Sequence, residues 1–293
     1  MTAVREDEED AGWLAGRFEE QRPRLRAVAY RMLGSLEEAD DAVQEAWVRC
    51  AAAGAGDVVN LGGWLTTIVT RVCLNALRAR AARPETLAGP RVPDPVLSLA
   101  DGPTPEQEAL LADSVGLALL VVLDVLTPAE RVAFVLHDVF DVPFGEIAPM
   151  LDRTPDAARQ LASRARHRVR AAGAHAPDGS IAAQRAVIDA FFAAARAGDL
   201  TALVELLDPD VVLRTDGFNA GPAVLRGAAA VAGAAGGASP HVEVRHVLIN
   251  GAAGVLITLR GRPAALMAFT IAGGKIVAVD GITDPHRVRR LVG

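Results

Sequence analysis

Apolar residues recur with two different periods along this chain, a helical period in the first half and an alternating one near the end. From Trp13 to Arg83 they return every three or four positions, which is typical of amphipathic helices. Gly34 predicts the end of a first helix, and Ser35 predicts the N-cap of a second. The Ala- and Gly-rich segment Ala51–Gly63 predicts a loop, and Trp64–Ala82 predicts a third helix.

A second helical pattern covers Thr127–Arg170 and contains a sharp break. A short helix opens near Pro143, and Thr154 followed by Pro155 predicts the cap and first residue of another. That last helix is apolar on one face, and its other faces carry Arg159, Gln160, Ser163, Arg164, Arg166, His167 and Arg170. Two short helices around a tight turn, the second one basic, are typical of a helix-turn-helix that enters a DNA major groove. A plain helical hairpin is the alternative.

The C-terminal part of the chain has a different character. Ile181–Gly198 and Leu200–Leu207 predict two helices. The strands expected after them are Val211–Arg214, Val242–Ile249, Gly254–Leu259, Ala265–Ile271 and Lys275–Asp280. Helices followed by a meander of strands predict a small α+β domain with a curved antiparallel sheet. The predicted fold class is therefore multidomain, with two all-α domains followed by one α+β domain.

Proline-rich and polar segments separate these parts. Arg83–Pro105 holds six prolines and predicts a mostly extended linker. Thr104 and Pro105 predict the start of the helix that leads into the helix-turn-helix. We expect a disordered acidic tail at 1–12, helical domains at 13–83 and 106–172, linkers at 84–105 and 173–180, and the α+β domain at 181–293.

Composition and charge refine this picture. No apolar run is long enough to span a bilayer and the N-terminus is acidic rather than basic, so the sequence predicts a cytoplasmic protein without a membrane span. The net charge of −6 does not indicate nucleic-acid binding, yet basic residues concentrate at Arg71–Arg83 and Arg153–Arg170. Cys50 and Cys73 are too few and too far apart for a metal motif, so we expect core residues, no metal site and no cofactor.

Two helical surfaces are candidates for binding. Glu37–Glu45 on the second helix is acidic, which is typical either of a solvated face or of a docking surface for a basic partner protein. Beside the Ala51–Gly63 loop, the third helix offers Thr67, Arg71, Asn75 and Arg78. Such a surface suits a splayed single strand of nucleic acid, and the alternative is a helical bundle whose arginines serve solubility.

Candidates for acid–base chemistry in the α+β domain are Asp216, His246 and Asp280. Each also has a structural interpretation, because both aspartates precede glycine as turn residues do and His246 lies in an apolar strand. We therefore expect no enzyme. A regulatory or sensing module with an unknown small ligand is favoured over a cyclase or isomerase.

Several motifs occur in the order found in one protein family. Asp41–Trp47 (DAVQEAW) resembles the region 2 signature of extracytoplasmic function (ECF) RNA polymerase sigma factors. Trp64–Ile68 (WLTTI), followed by Arg71 and Asn75, resembles their promoter −10 segment, and Leu126–Arg170 resembles their region 4. The SnoaL-like (NTF2-like) domain that follows resembles that of the SigJ-type subgroup.

This resemblance implies a role for each surface. Core RNA polymerase is expected to contact Asp40, Asp41, Gln44 and Glu45. Melted −10 DNA is expected at Thr67, Arg71, Asn75 and Arg78, with a flipped base in the loop at 51–60. The −35 duplex is expected at Arg159, Gln160, Ser163, Arg164 and His167. The implied function is promoter recognition and transcription initiation.

Two segments are expected to join the extra domain to the sigma domains, and both depart from the subgroup's pattern. Pro93, Asp94 and Pro95 keep two prolines and an acid but lack a neighbouring Trp, and Asp216 with Gly217 keeps only the start of a Gly-rich motif. The resemblance implies that this domain modulates the sigma function. The residues alone leave two other functions open: a one-component helix-turn-helix regulator with a ligand-sensing domain, and a SnoaL-type enzyme with a helical appendage.

Overall fold

The structure is a computed structural model that describes residues 2–54, 58–82, 92–98, 117–172, 178–217, 223–236 and 242–292. It divides into two compact units. The helical unit comprises Met1–Pro84 and Val125–Val169, and the sheet unit comprises Glu85–Asp124 and Arg170–Gly293. The helix start predicted at Thr104 lies outside the described residues.

Three helices form the first part of the helical unit: α1 (Thr2–Leu33), α2 (Leu36–Ala53) and α3 (Leu61–Ala82). Gly34 follows α1 at a φ of 75°, a left-handed conformation that glycine adopts without a steric penalty. The Ser35 hydroxyl then accepts a hydrogen bond from the Glu38 amide at 3.4 Å and caps α2. Both predicted boundaries are confirmed.

Two segments expected to be irregular are helical instead. α1 begins at Thr2, which contradicts the disordered tail expected at 1–12, because this segment has no proline and no glycine before Gly12 to interrupt a helix. The loop predicted over Ala51–Gly63 is also shorter. α2 continues through three alanines to Ala53, and the Asn60 side chain accepts the Gly63 amide at 3.0 Å at the start of α3.

The helix-turn-helix pattern is confirmed as a series of short helices. The elements are α4 (Leu117–Leu123), which belongs to the sheet unit, α5 (Pro128–Phe134) with a π-helical continuation over Val135–Val139, α6 (Phe144–Met150) and α7 (Pro155–Ala171). The Thr154 hydroxyl accepts the Ala157 amide at 3.2 Å, and Pro155 starts α7, as predicted. The buried Arg131 donates to the Met32 carbonyl at 2.9 Å, which ties α5 to the end of α1.

In its described residues, the sheet unit contains one seven-stranded sheet and flanking helices. Its further elements are β1 (Leu97–Ser98), α8 (Ile181–Ala197), α9 (Leu200–Leu206), β2 (Leu207–Thr215), β3 (Ala223–Arg226), α10 (Ala228–Ala235), β4 (Val242–Ile249), β5 (Ala252–Leu259), β6 (Arg262–Ala272), β7 (Lys275–Ile282) and α11 (Pro285–Val292). The strand order is β1-β4-β5-β6-β7-β2-β3. Neighbouring strands are antiparallel except β2 and β7, which are parallel. The prediction of a wholly antiparallel sheet is wrong at this pair, because β2 and β7 are joined by the rest of the sheet rather than by a hairpin.

Helices α8 and α10 contribute to the core on one face of the sheet, which we call the inner face. Ile188 and Phe191 of α8 pack there with Val255, Phe269 and Val279 of three strands. Burial of each such side chain stabilises the fold by about 1.5–3 kcal/mol. Because side chains alternate along a strand, the residues that follow the inner ones point to the opposite, outer face. Helix α4 contacts β7, and α11 contacts β6.

Part of the proline-rich linker is built into the sheet. β1 pairs with β4 in antiparallel register, with Leu97 opposite Ile249. The Val96 amide donates to Asn250 Oδ1 at 2.7 Å, and the Asn250 amide donates to the Val96 carbonyl at 2.9 Å. Leu97 and Ser98 of the predicted linker therefore form an edge strand, because β4 offers backbone groups that an extended segment can satisfy.

Candidate nucleic-acid interface and linker contact

The outer side of α7 is a basic surface supported by small residues. Ala158, Ala162 and Ala165 are fully buried, which lets the helix approach its neighbours closely. The five residues predicted to contact the −35 duplex are all exposed on the other sides: Arg159, Gln160, Ser163, Arg164 and His167. Three of them recur every four residues, so α7 presents a continuous polar stripe to solvent.

A buried carboxylate that was not predicted positions two arginines of α7. Glu130 on α5 is only 3% exposed. Its Oε2 accepts Arg168 Nη1 at 3.0 Å, and its Oε1 lies 3.6 Å from Arg164 Nε. The same carboxylate forms a capping box with Thr127. The Thr-x-x-Glu spacing could have revealed this cap, but not the arginines, which are far away in the sequence.

The four residues predicted to contact −10 DNA lie along one side of α3. Arg71, Asn75 and Arg78 are exposed. Thr67 is half-buried, and its hydroxyl donates to the carbonyl of Gly63 at 2.8 Å. Arg71 Nη2 also lies 3.4 Å from a carbonyl of α6, that of Pro149. Residues 55–57 of the loop expected to hold a flipped base lie outside the described part of the chain.

The polar side of α2 combines acidic and apolar groups. The residues predicted to contact core polymerase are all exposed: Asp40, Asp41, Gln44 and Glu45. Asp40 Oδ2 accepts Arg26 Nη2 at 2.9 Å, and Glu45 pairs with Arg49 one turn further on. Val48 is 59% exposed on the same helix and was not predicted as a contact residue.

Arg287 on α11 joins the linker to the end of the sheet. Its guanidinium donates to Asp94 Oδ1 at 2.8 Å, to Asp216 Oδ2 at 3.1 Å and to the carbonyl of Val92. Asp216 Oδ1 in turn accepts the amide and the hydroxyl of Thr283, at 2.7 and 3.0 Å. We call Asp94, Asp216 and Arg287 the linker clasp. These charge-assisted hydrogen bonds bring together two segments that the sequence predicted to be interdomain contacts.

The other residues predicted to be interdomain contacts flank the aspartates of the clasp. Pro93 and Pro95, on either side of Asp94, are buried, and Gly217 follows Asp216 at a φ of 70°. Sequence reasoning missed Arg287. No local motif marks it, because its acidic partners lie 71 and 193 residues away.

Comparison with known proteins identifies the family. The Sigma-70 region 2 model matches residues 17–83, and the Sigma-70, region 4 model matches residues 116–169. The ECF RNA polymerase sigma factor SigJ of Mycobacterium tuberculosis (strain ATCC 25618 / H37Rv) is 42% identical over 209 residues, which are 71% of this chain and 67% of that protein. The chain belongs to the ECF sigma factor family.

Two further similarities extend along nearly the whole sigma factor. The probable ECF RNA polymerase sigma factor SigI of the same organism is 34% identical over 294 residues, covering 95% of this chain and 94% of that protein. The crystal structure of M. tuberculosis SigJ matches with a TM-score of 0.72 at 34% identity, over 93% of this chain and 97% of that one. The prediction of two helical sigma domains and an NTF2-like domain is confirmed. The comparisons favour the sigma factor over the one-component regulator and the SnoaL-type enzyme.

The three acid–base candidates of the NTF2-like domain bond to other side chains, and none of them lines its apolar cavity. Arg214 Nη1 donates to Asp280 Oδ1 at 2.8 Å, and burial raises the pKa of Asp280 more than the arginine lowers it. His246 Nε2 lies 2.7 Å from Asp189 Oδ1, and Asp216 belongs to the clasp. Among the described residues, the cavity is lined by apolar side chains alone.

The described ranges contain neither a candidate metal site nor a candidate membrane span. There, no group of three or more His, Cys, Asp or Glu side chains could hold a metal ion, and no helix is long and apolar enough to cross a membrane. Cys50 and Cys73 are buried free thiols, as predicted for core residues, and burial raises the pKa of Cys73 to about 12.

Proposed function

We propose that this ECF sigma factor directs core RNA polymerase to specific promoters in the cytoplasm, and that its NTF2-like domain modulates initiation through the linker clasp. One observation carries the proposal: both sigma regions in the same chain expose the predicted polar helix faces. The overall test is run-off transcription with purified core polymerase over a promoter library, and sequence-independent transcripts would contradict the proposal.

The α2 surface is proposed to bind core polymerase. Asp41 and Val48 are both exposed, seven residues apart on α2, so a basic polymerase surface could pair with the acid while the valine is buried. We expect Asp41→Lys to weaken binding to core polymerase in a fluorescence anisotropy titration. The matched control is Asp210→Lys, an exposed aspartate of β2. Equal affinities of the two variants would contradict this role.

The basic side of α7 is proposed to read the −35 duplex. Arg164 is 61% exposed at its side chain and is oriented by Glu130. Arg164→Ala should weaken binding to a −35 duplex by about 1–3 kcal/mol, or roughly 5- to 150-fold, if the arginine contacts a base edge. The control is Arg196→Ala, an exposed arginine of α8. Both must be measured at one salt concentration, because phosphate contacts are salt-dependent. Equal binding by the two variants would exclude Arg164 from the interface.

The exposed side of α3 is proposed to hold melted −10 DNA. Asn75 has the amide donors and acceptor that read an unpaired base edge. Asn75→Ala should reduce permanganate reactivity of −10 thymines on duplex promoters and leave −35 binding unchanged. A template melted in advance at −10 should restore part of the activity. A variant that fails equally on both templates would show that Asn75 acts at another step.

The clasp is proposed to be the route by which the NTF2-like domain affects the sigma domains. Arg287 bonds to Asp94 of the linker, whereas the exposed Arg289 of the same helix bonds to the Pro285 carbonyl. Arg287→Ala should therefore change run-off transcription, and Arg289→Ala should not. Deletion of residues 181–293 should also change it. Unchanged output from both the Arg287→Ala protein and the deletion would refute a modulating role.

A further inference from the structure

The inner face of the NTF2-like domain contains an apolar cavity of about 290 Å³. Phe191 and Phe192 of α8 and Ala235 of α10 line one side, and Leu213, Met267 and Val279 of three strands line another. The volume is close to the ~300 Å³ at which small-molecule sites begin. A cavity of this size and lining is suited to an uncharged molecule of one or two rings.

The described lining favours an uncharged ligand. Among the described residues, no lining side chain would offer a counter-charge to an ion that lost its hydration on entry, and that loss is costly. The neighbouring titratable groups are committed elsewhere. Arg214 pairs with Asp280, and His246 pairs with Asp189. An apolar ligand loses no polar contact there and gains dispersion contacts with the aromatic rings.

The strands that line the cavity also build the linker clasp. Leu213 and Val279 are register partners on the parallel strands β2 and β7. Three residues after Leu213 comes Asp216, whose amide donates to the Gly281 carbonyl at 3.2 Å and whose side chain bonds to Thr283 at the end of β7. A change in the spacing of β2 and β7 at the cavity therefore reaches the carboxylate that holds Arg287.

Residues between the cavity and the clasp are closely packed. Met267 lines the cavity and lies opposite Gly281 in the β6–β7 register. A Cβ atom at Gly281 would approach Met267 Sδ to 2.9 Å and Thr215 Cγ2 to 3.1 Å. Such contacts transmit displacements, because packed interiors have low compressibility.

We propose that this cavity binds an uncharged, apolar small molecule and that its occupancy strengthens the hold of the clasp on the linker. This inference rests on the modulating role proposed above for the NTF2-like domain. The ligand fits the arrangement in which β2 and β7 are in register, and the same arrangement presents Asp216 to Arg287. Since coupling between two sites is reciprocal, breaking the clasp must weaken the ligand's binding by the same factor.

The test is a fluorescence titration of the full chain with N-phenyl-1-naphthylamine, an uncharged apolar fluorophore. The wild-type protein should bind it saturably. Ala235→Phe, which fills the cavity, should abolish binding, whereas Ala190→Phe on the exposed side of α8 should not. Ala234→Phe, at an exposed lining position, repeats the test should Ala235→Phe fail to fold. Undiminished binding by a folded cavity variant overturns the site.

The coupling has a separate readout. Arg287→Ala should weaken fluorophore binding about 5-fold or more, and Arg289→Ala should leave it unchanged. Equal affinity of the Arg287→Ala and wild-type proteins would overturn the coupling. If Arg287→Ala alters transcription while it still binds the fluorophore normally, the proposed role of the clasp stands and this inference fails.

Discussion

Two arginine–carboxylate clusters in the sheet unit use the same chemistry in different surroundings. Arg214 and Asp280 sit on adjacent strands in direct register and are almost completely buried, with side chains 10% and 1% exposed. Arg287 is 17% exposed and connects segments separated by up to 193 residues. Water can therefore replace the partners of Arg287 more readily than those of Arg214.

This difference separates a permanent part of the fold from a contact that can open. Removing either buried partner leaves the other charge without solvent, so the Arg214–Asp280 pair is fixed as long as the sheet is folded. The Arg287 clasp can exchange protein acceptors for water at moderate cost. A regulatory contact needs that property, because a ligand can shift only an equilibrium whose two states are close in free energy.

The largest effect should come from breaking the buried pair. Arg214→Ala leaves Asp280 buried without its counter-charge, so we expect a loss of about 3–5 kcal/mol in the free energy of unfolding. Urea unfolding of the full chain measures it. Arg226→Ala, at an exposed position of β3, should change stability by less than about 0.5 kcal/mol. Similar losses in both variants would mean that the pair is not isolated from water.

A double substitution should sharpen the contrast. Arg214→Met combined with Asp280→Leu replaces both charges by apolar side chains, and such replacements are often neutral or stabilising by about 1–4 kcal/mol. We expect the double variant to recover most of the stability lost in Arg214→Ala. Asp280 Oδ2, which is buried without a hydrogen-bond partner among the described residues, supports this expectation. A double variant as unstable as the single one would show that Arg214 contributes through specific packing.

The clasp should have a smaller effect on stability and a local effect on the linker. Arg287→Ala removes charge-assisted hydrogen bonds, so we expect a loss of about 1.5–3 kcal/mol. Hydrogen exchange at the Val96 amide, which donates to Asn250, should become faster than in the Arg289→Ala control. Unchanged protection at Val96 would mean that β1 holds the linker without the clasp.

The smallest effects should appear in the pH dependence, with opposite signs. Hydrogen bonds from the amides of Arg287 and His286 lower the pKa of Asp284. Its contribution to the free energy of unfolding is therefore present above the ordinary pKa of 3.8 and is lost as pH falls through the lowered pKa. Burial raises the pKa of Asp280. Its contribution to the free energy of unfolding is therefore present below pH 3.8, its ordinary pKa, and is lost as pH rises through the raised pKa. Unfolding of Asp284→Asn and Asp280→Asn across acidic pH should differ from wild type in opposite senses. Slopes of the same sign would refute one assignment.

Local signals predicted the helical unit better than the sheet unit. Gly34, Ser35 and Thr154 act on their own neighbours, so the C-terminal end of α1 and the starts of α2 and α7 could be predicted from sequence. Long-range partners explain what was missed. The parallel β2–β7 pair, the β1 edge strand and the role of Arg287 depend on residues that no nearby pattern specifies.

The same sequence separation determines when the edge strand β1 can form during synthesis of the chain. The Val96 amide can bond to Asn250 only after 154 more residues have been synthesised. Asp94 can bond to Arg287 only after 193 more residues. At about 5–20 residues per second, a ribosome needs roughly 10–40 s to synthesise that interval. Asn250 and Arg287 are made only at the end of their respective intervals. In a newly synthesised molecule, both helices proposed to read DNA are therefore made before the domain proposed to modulate initiation is complete.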